Sequence, residues 1–208
     1  MADLWERLGR IPLDRIWANP APGTATEKDV IDVDVHKNGL CELVDGTLVE
    51  RAYGFEEALV GGQLVYRVIS HVKEHNLGIC VGAGGTMRFA PGLVRMADLA
   101  FIPWDKLPGG KSPREPIPDL VPDLAAEIFR PRNTEREMAR KVREYFGAGV
   151  RLVWLIKPTK RIARVFTAVG ESTIVMADQM LDGGVVLPGF QVRLSDVLDY
   201  GQRPRSRD

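Results

Sequence analysis

Between residues 120 and 156 the chain sets out an apolar run, a helix with a signal at each end, and a second apolar run. Residues 120–129 and 150–156 have the length and composition of buried strands. Residues 134–146 carry Met138, Val142, Tyr145 and Phe146 at the spacing of a core-facing helix stripe. Thr134-Glu135-Arg136-Glu137 is a capping box, in which a hydroxyl and a carboxylate satisfy amides that the first helical turn leaves open. Gly147 and Gly149 end the helix. A chain built this way is committed to an α/β domain around a mixed sheet.

Upstream, residues 40–44 and 47–50 flank Asp45-Gly46, a hairpin signal because both turn positions need positive φ. Residues 55–75 turn helical, with Leu59, Leu64, Tyr66, Val68, Ile69 and Val72 as the apolar set. Short strands are expected at 79–83, 86–89 and 96–102, and a Pro- and Gly-rich surface loop at 103–118. Beyond the helix, 150–156 and 161–169 form a strand pair, with another strand at 173–176. Residues 1–30 read as a lead-in arm, 31–200 as a single domain and 201–208 as a loose basic tail. Hydrophobic residues make up 45% of the 208, enough for a real core and against a disordered chain.

Chemistry is suggested by acids placed where strands should be buried. Asp98 lies inside Met96-Ala97-Asp98-Leu99-Ala100-Phe101-Ile102, and Glu127 inside Leu124-Ala125-Ala126-Glu127-Ile128-Phe129. A buried carboxylate is costly unless paired, protonated or bound to a cation. Two in one small sheet point to a hard divalent metal with oxygen ligands; alternation alone would also let each face solvent. Lys141 follows Met138 by three residues and precedes Tyr145 by four, so it borders the apolar stripe. It can snorkel to solvent or reach Glu127. An ammonium beside metal-bound carboxylates suits phosphodiester hydrolysis, where negative charge develops on phosphate.

Lys+Arg and Asp+Glu are equal at 28 each, so overall charge does not call for a nucleic-acid partner. Charge is nevertheless segregated. Residues 130–143 hold six bases against Glu135 and Glu137, whereas 27–57 hold nine acids against three bases. The first segment can offer phosphate a basic rim, although a solvated helix face explains most single charge runs.

These residues, in their order and spacing, resemble the Uma-type family of restriction endonucleases in the PD-(D/E)XK nuclease superfamily. The resemblance spans roughly residues 40–197. It rests on Glu42-Leu43-Val44-Asp45-Gly46, the strand around Asp98, Pro122-Asp123-Leu124-Ala125-Ala126-Glu127-Ile128, Lys141 with Glu144-Tyr145, Gly149-Val150-Arg151-Leu152-Val153-Trp154-Leu155, and Leu187-Pro188-Gly189-Phe190. It implies a restriction-endonuclease-like core, a mixed β-sheet flanked by helices, with an added N-terminal hairpin and C-terminal strands. Asp98, Glu127 and Lys141 then take the motif positions, with Glu42 an accessory acid near the metal. Ala97 replaces the family's proline, Phe129 the superfamily's lysine, Arg130 a small hydroxyl residue and Lys157 an aspartate.

The expectation is a metal-dependent endonuclease cutting DNA. Asp98, Glu127 and Glu42 bind Mg²⁺ (Mn²⁺ as a substitute), Lys141 assists the nucleophile, and Arg130, Arg132 and Arg140 contact phosphate. Duplex cleavage makes a homodimer plausible, with the 55–75 helix in the contact. The alternative is a non-catalytic nuclease-fold module binding nucleic acid or a protein, for which Arg130 and Lys157 speak most. With no run of 18 apolar residues and no secretory core at the N-terminus, a cytoplasmic protein without a membrane span is expected.

Other signals carry less. His71 and His75 have metal-ligand spacing but lack the zinc-protease pattern, and His36 is isolated. Gly82-Ala83-Gly84-Gly85 is followed by a stretch that cannot open a helix. Gly110-Lys111-Ser112 lacks the upstream glycine of a P-loop. Cys41 and Cys80 read as buried, reduced thiols, and Trp104 and Trp154 as loop and core anchors rather than base-stacking platforms.

Overall fold

The computed structural model describes residues 2–37, 39–52 and 54–201; residues 202–208 of the expected tail lie outside them. Among the described residues, seventeen α-helices and β-strands follow in order. The helices are α1 (Ala2–Arg7), α2 (Glu27–Lys37), α3 (Phe55–Glu74), α4 (Glu135–Ala148) and α5 (Leu194–Leu198). The strands are β1 (Cys41–Val44), β2 (Thr47–Glu50), β3 (Gly78–Gly82), β4 (Met87–Ala90), β5 (Leu93–Arg95), β6 (Leu99–Pro103), β7 (Leu124–Ile128), β8 (Leu152–Lys157), β9 (Ile162–Ala168), β10 (Glu171–Met176), β11 (Met180–Asp182) and β12 (Gln191–Arg193).

A six-stranded sheet, ordered β10-β9-β8-β7-β6-β3, is antiparallel except for the parallel pair β7 and β8. Parallel neighbours need a crossover, which is α4. Side chains alternate across the sheet. Leu124, Ala126, Ile128, Trp154 and Ile156 meet Val60, Leu64, Val68 and Val72 of α3. Ala100, Ile102, Ala125, Val153 and Leu155 meet Met138, Val142 and Tyr145 of α4. The α3 seam therefore runs through Val60 rather than Leu59, and Tyr66 is exposed.

A second sheet, β2-β1-β5-β4, is built on the expected hairpin, whose Asp45 and Gly46 have φ of 49° and 63°. Helix α2 covers one side of it through Val30 and Val33, packed on Cys41, Leu43 and Val94. The N-terminal segment docks Leu8 and Ile11 against Val44 and Val49. Arg15, buried, bonds Glu137 at 2.8 and 3.0 Å, tying this segment to the first turn of α4.

The strand expected at 96–102 begins at Leu99 because the chain changes sheets there. β5 belongs to the small sheet and β6 to the large one, and Met96-Ala97-Asp98 links them. The expected surface loop after β6 contains short 3-10 turns at Trp104–Lys106 and Pro108–Gly110, and it buries Leu107 and Ile117.

Candidate active site

Each acid singled out in the sequence is buried at the seam between the two sheets. Glu127 shares its sheet face with Ala125, beneath α4. Asp98 leads into β6 just where its backbone N–H donates to Ala126 O at 2.9 Å. Its Oδ2 then accepts Ile128 N–H at 2.7 Å, so the side chain continues a ladder that the backbone has left. Glu42 comes from β1 across the seam. Asp98, Glu127 and Lys141 are 2%, 4% and 4% exposed, so the solvent-facing alternatives do not hold.

Helix spacing brings Lys141 and Tyr145 down one side of α4 onto the acids. Lys141 Nζ donates to Glu42 Oε1 at 2.9 Å and to Glu127 Oε1 at 3.1 Å. The Tyr145 hydroxyl donates to the same Glu127 oxygen. Arg95 Nη1 holds Glu42 Oε2 at 2.7 Å, and its remaining nitrogens hold Glu144. Asp98 is not on Lys141 but between two arginines. Arg51 Nη2 reaches Oδ1 at 2.6 Å; Arg130 takes Oδ1 at 2.7 Å and Oδ2 at 2.9 Å. Glu42, Asp98, Glu127 and Glu144 thus face Arg51, Arg95, Arg130 and Lys141, with Arg140 also on Glu144, so each acid of the cluster has a cation on it.

The acids titrate in different directions. For Glu42, burial is the largest influence and raises the pKa, but Lys141, Arg95 and Arg51 together outweigh it and hold the carboxyl well below the usual range. For Asp98, burial again leads, and the hydrogen bond from Arg130 with the charge of Arg51 turns the balance downward. For Glu127 burial prevails, helped by Asp98 and Glu42, and the pKa is raised despite Lys141. Lys141 loses by burial but gains more from Glu127 and Glu42, so it stays an ammonium. Burial and Glu127 lift the Tyr145 phenol well above its ordinary value.

The acids are hard oxygen donors, the kind a divalent cation selects. Asp98 and Glu127 fit such an ion in chemistry, with Glu42 beside them. As the side chains stand, however, no three His, Cys, Asp or Glu among the described residues form a group that could hold one; Asp98 is given to guanidinium instead.

A cavity of about 730 Å³ opens over Asp98, Arg51 and Arg130, with Ala58, Gly61, Gly62 and Val65 of α3 among its walls. Sequence reading missed Arg51 and Arg95, which look like ordinary strand-end charges. Tyr145 was legible as core, and its place four residues after Lys141 could have flagged its hydroxyl. Of the three expected phosphate contacts, Arg130 sits on Asp98, Arg140 on Glu144 and Asp45, and the half-exposed Arg132 on Asp14. Lys157 bonds Glu135 at 2.6 Å and lies 5.1 Å over the Phe129 ring, so these two departures from the family pattern pack on each other.

The remaining candidates are structural. His71 and His75 stack at 4.2 Å, and His71 Nε2 pairs with Pro188 O at 3.0 Å. No disulfide forms among the described residues, and burial pushes the Cys80 thiol up to about 12. Among these residues no helix is long and apolar enough to cross a membrane.

The sequence model of a family described as "Uma2: Putative restriction endonuclease" matches residues 31–195. No curated protein matches the chain. Among solved structures, a putative nuclease belonging to DUF820 from Anabaena variabilis superposes with a TM-score of 0.70 at 15% identity, over 78% of this chain and 92% of that one. The expected α/β architecture of a mixed sheet flanked by helices is therefore also that of a solved fold.

Proposed function

The chain belongs to the Uma2 family, and from that premise we propose that it is a metal-dependent endonuclease hydrolysing DNA phosphodiester bonds. The observation that carries this reading is the buried Lys141 ammonium, shared between Glu127 and Glu42, with Asp98 near enough for its charge to act on Glu127. An ammonium has three hydrogens, and two are spent on these acids. The third is available to steady attacking water or the charge that develops on phosphate. Because its neighbours keep Lys141 protonated, it serves as a cation and not as a base.

Tyr145 fixes Glu127 and Arg95 fixes Glu42, so both carboxylates are held before substrate arrives. Mg²⁺, or Mn²⁺ in its place, would be held by Asp98 and Glu127 with Glu42 close by, where it would polarise a phosphoryl oxygen and lower the pKa of water. Arg130 and Arg132 are the phosphate contacts, and Arg140 joins them if it leaves Glu144 and Asp45. Duplex cleavage engages two strands, so the working unit is a homodimer with α3 in the contact, detectable by sedimentation.

The direct test is nicking of supercoiled plasmid with Mg²⁺. Wild type cuts; Glu127→Gln does not, while its melting temperature is unchanged or higher. Equal activity in the variant removes this site from consideration. A second reading, a non-catalytic module that binds nucleic acid or a protein, is favoured by one observation: two arginines cover Asp98. Wild type that is inert with Mg²⁺ and Mn²⁺ yet binds DNA in a salt-sensitive way would establish it.

A further inference from the structure

Arg130 does more than lie near Asp98. Its Nη1 donates to Asp98 Oδ2 and to the Ile128 carbonyl, both at 2.9 Å, and its Nη2 donates to Asp98 Oδ1 at 2.7 Å. Three oxygens of the kind a hard divalent ion would take therefore converge on one guanidinium. We propose that Arg130 is the residue that controls metal entry: its guanidinium competes with the divalent ion for Asp98 and yields that carboxylate when a DNA phosphate draws it away. This rests on the metal-dependent reading above.

Three features support the competition. The first is charge: each acid of the cluster already has a cation on it, and Asp98 has two, so an ion entering at Asp98 competes with a resident cation. Second, the grip is one-sided, because Arg130 Nε is buried without a hydrogen-bond partner and only the fork end of the guanidinium is satisfied. Third, there is room to move. Arg130 borders the 730 Å³ cavity, whose walls also include Gly61 and Gly62 of α3, which carry no side chain to fill it. Asp98 is not stranded by the exchange, since Arg51 and the Ile128 amide remain on it. A guanidinium that moves to phosphate exchanges one oxyanion for another, and metal and DNA then favour each other's binding.

The test is calorimetric titration of Mn²⁺ into DNA-free protein, comparing wild type with Arg130→Ser and Arg130→Met, each first checked by thermal melting. Ser removes the whole competing side chain; Met keeps the stem and removes only the charge. Both variants are expected to bind Mn²⁺ about tenfold or more tightly than wild type. Equal, measurable affinity in all three proteins overturns the competition and leaves the metal-dependent reading intact. No binding by any of them, even at millimolar Mn²⁺, overturns both.

Discussion

Tyr145 links the buried core to the candidate chemistry. Its ring packs 4.9 Å from Phe89, and its hydroxyl donates to Glu127, whose pKa burial raises. Tyr145→Phe keeps the ring and removes only that donor. It is expected to cost about 1–3 kcal/mol in urea unfolding, the scale for a buried acceptor short of a partner, and to lower plasmid nicking about 10–100-fold. An unchanged nicking rate would separate the hydroxyl from the site. Cys80 gives a prediction that touches no chemistry. With its thiol pushed up to about 12 by burial, it should resist iodoacetamide at pH 8 in the native protein and react readily in urea, as peptide mass spectrometry would read. At this scale the acids and Lys141 were legible because a charge inside an apolar pattern stands out. Arg51 was not: it follows Glu50 at a strand end, and nothing in its spacing shows that the chain turns it under Asp98.

Among the elements, those with a local signature were readable. The Asp45-Gly46 turn takes the positive φ values its residues favour, and Thr134 and Glu137 complete the capping box, with Glu137 N–H donating to Thr134 Oγ1 at 3.0 Å. The strands that sequence did not reveal, β5, β11 and β12, have three residues each, too few to show alternation. Helix α2 escaped notice because charges interrupt its apolar face: Glu27, Lys28, Asp29, Asp32 and Asp34 leave only a few buried anchors such as Val30 and Val33. Thr134 also donates from its hydroxyl to Gly9 O, so the cap joins α4 to the N-terminal segment. Thr134→Ala should therefore destabilise the protein by about 1 kcal/mol through the cap, with hydrogen exchange rising at residues 8–11 as well as at 135–138. Faster exchange confined to the helix would show that the contact with Gly9 contributes nothing.

For the whole molecule, the charge cluster is the joint between the four-stranded and six-stranded sheets. Glu42 and Arg95 come from the small sheet, Asp98 from the link and Glu127 from the large one, so their titration is felt by the entire fold. Glu42 and Asp98 fall below their ordinary 4.5 and 3.8 on folding. Their stabilisation is present above those values and is lost as pH falls toward the folded-state pKa values. Glu127 rises above its ordinary 4.5, so the folded state binds its proton more tightly than the unfolded chain does. Ionising it costs stability, and that cost is relieved as pH falls through its folded pKa. The two effects act in different windows. Stability measured by urea unfolding should first hold or rise as pH is lowered toward the ordinary 4.5 of Glu127, then fall below about 4, where the unfolded chain takes up protons that folded Glu42 and Asp98 do not. Glu127→Gln carries no titrating acid there, so it should lose the first part of the curve and keep the second. If wild type and variant trace parallel curves from pH 7 to 3, Glu127 is already ionised at no cost, and its raised pKa cannot be part of how the joint is held.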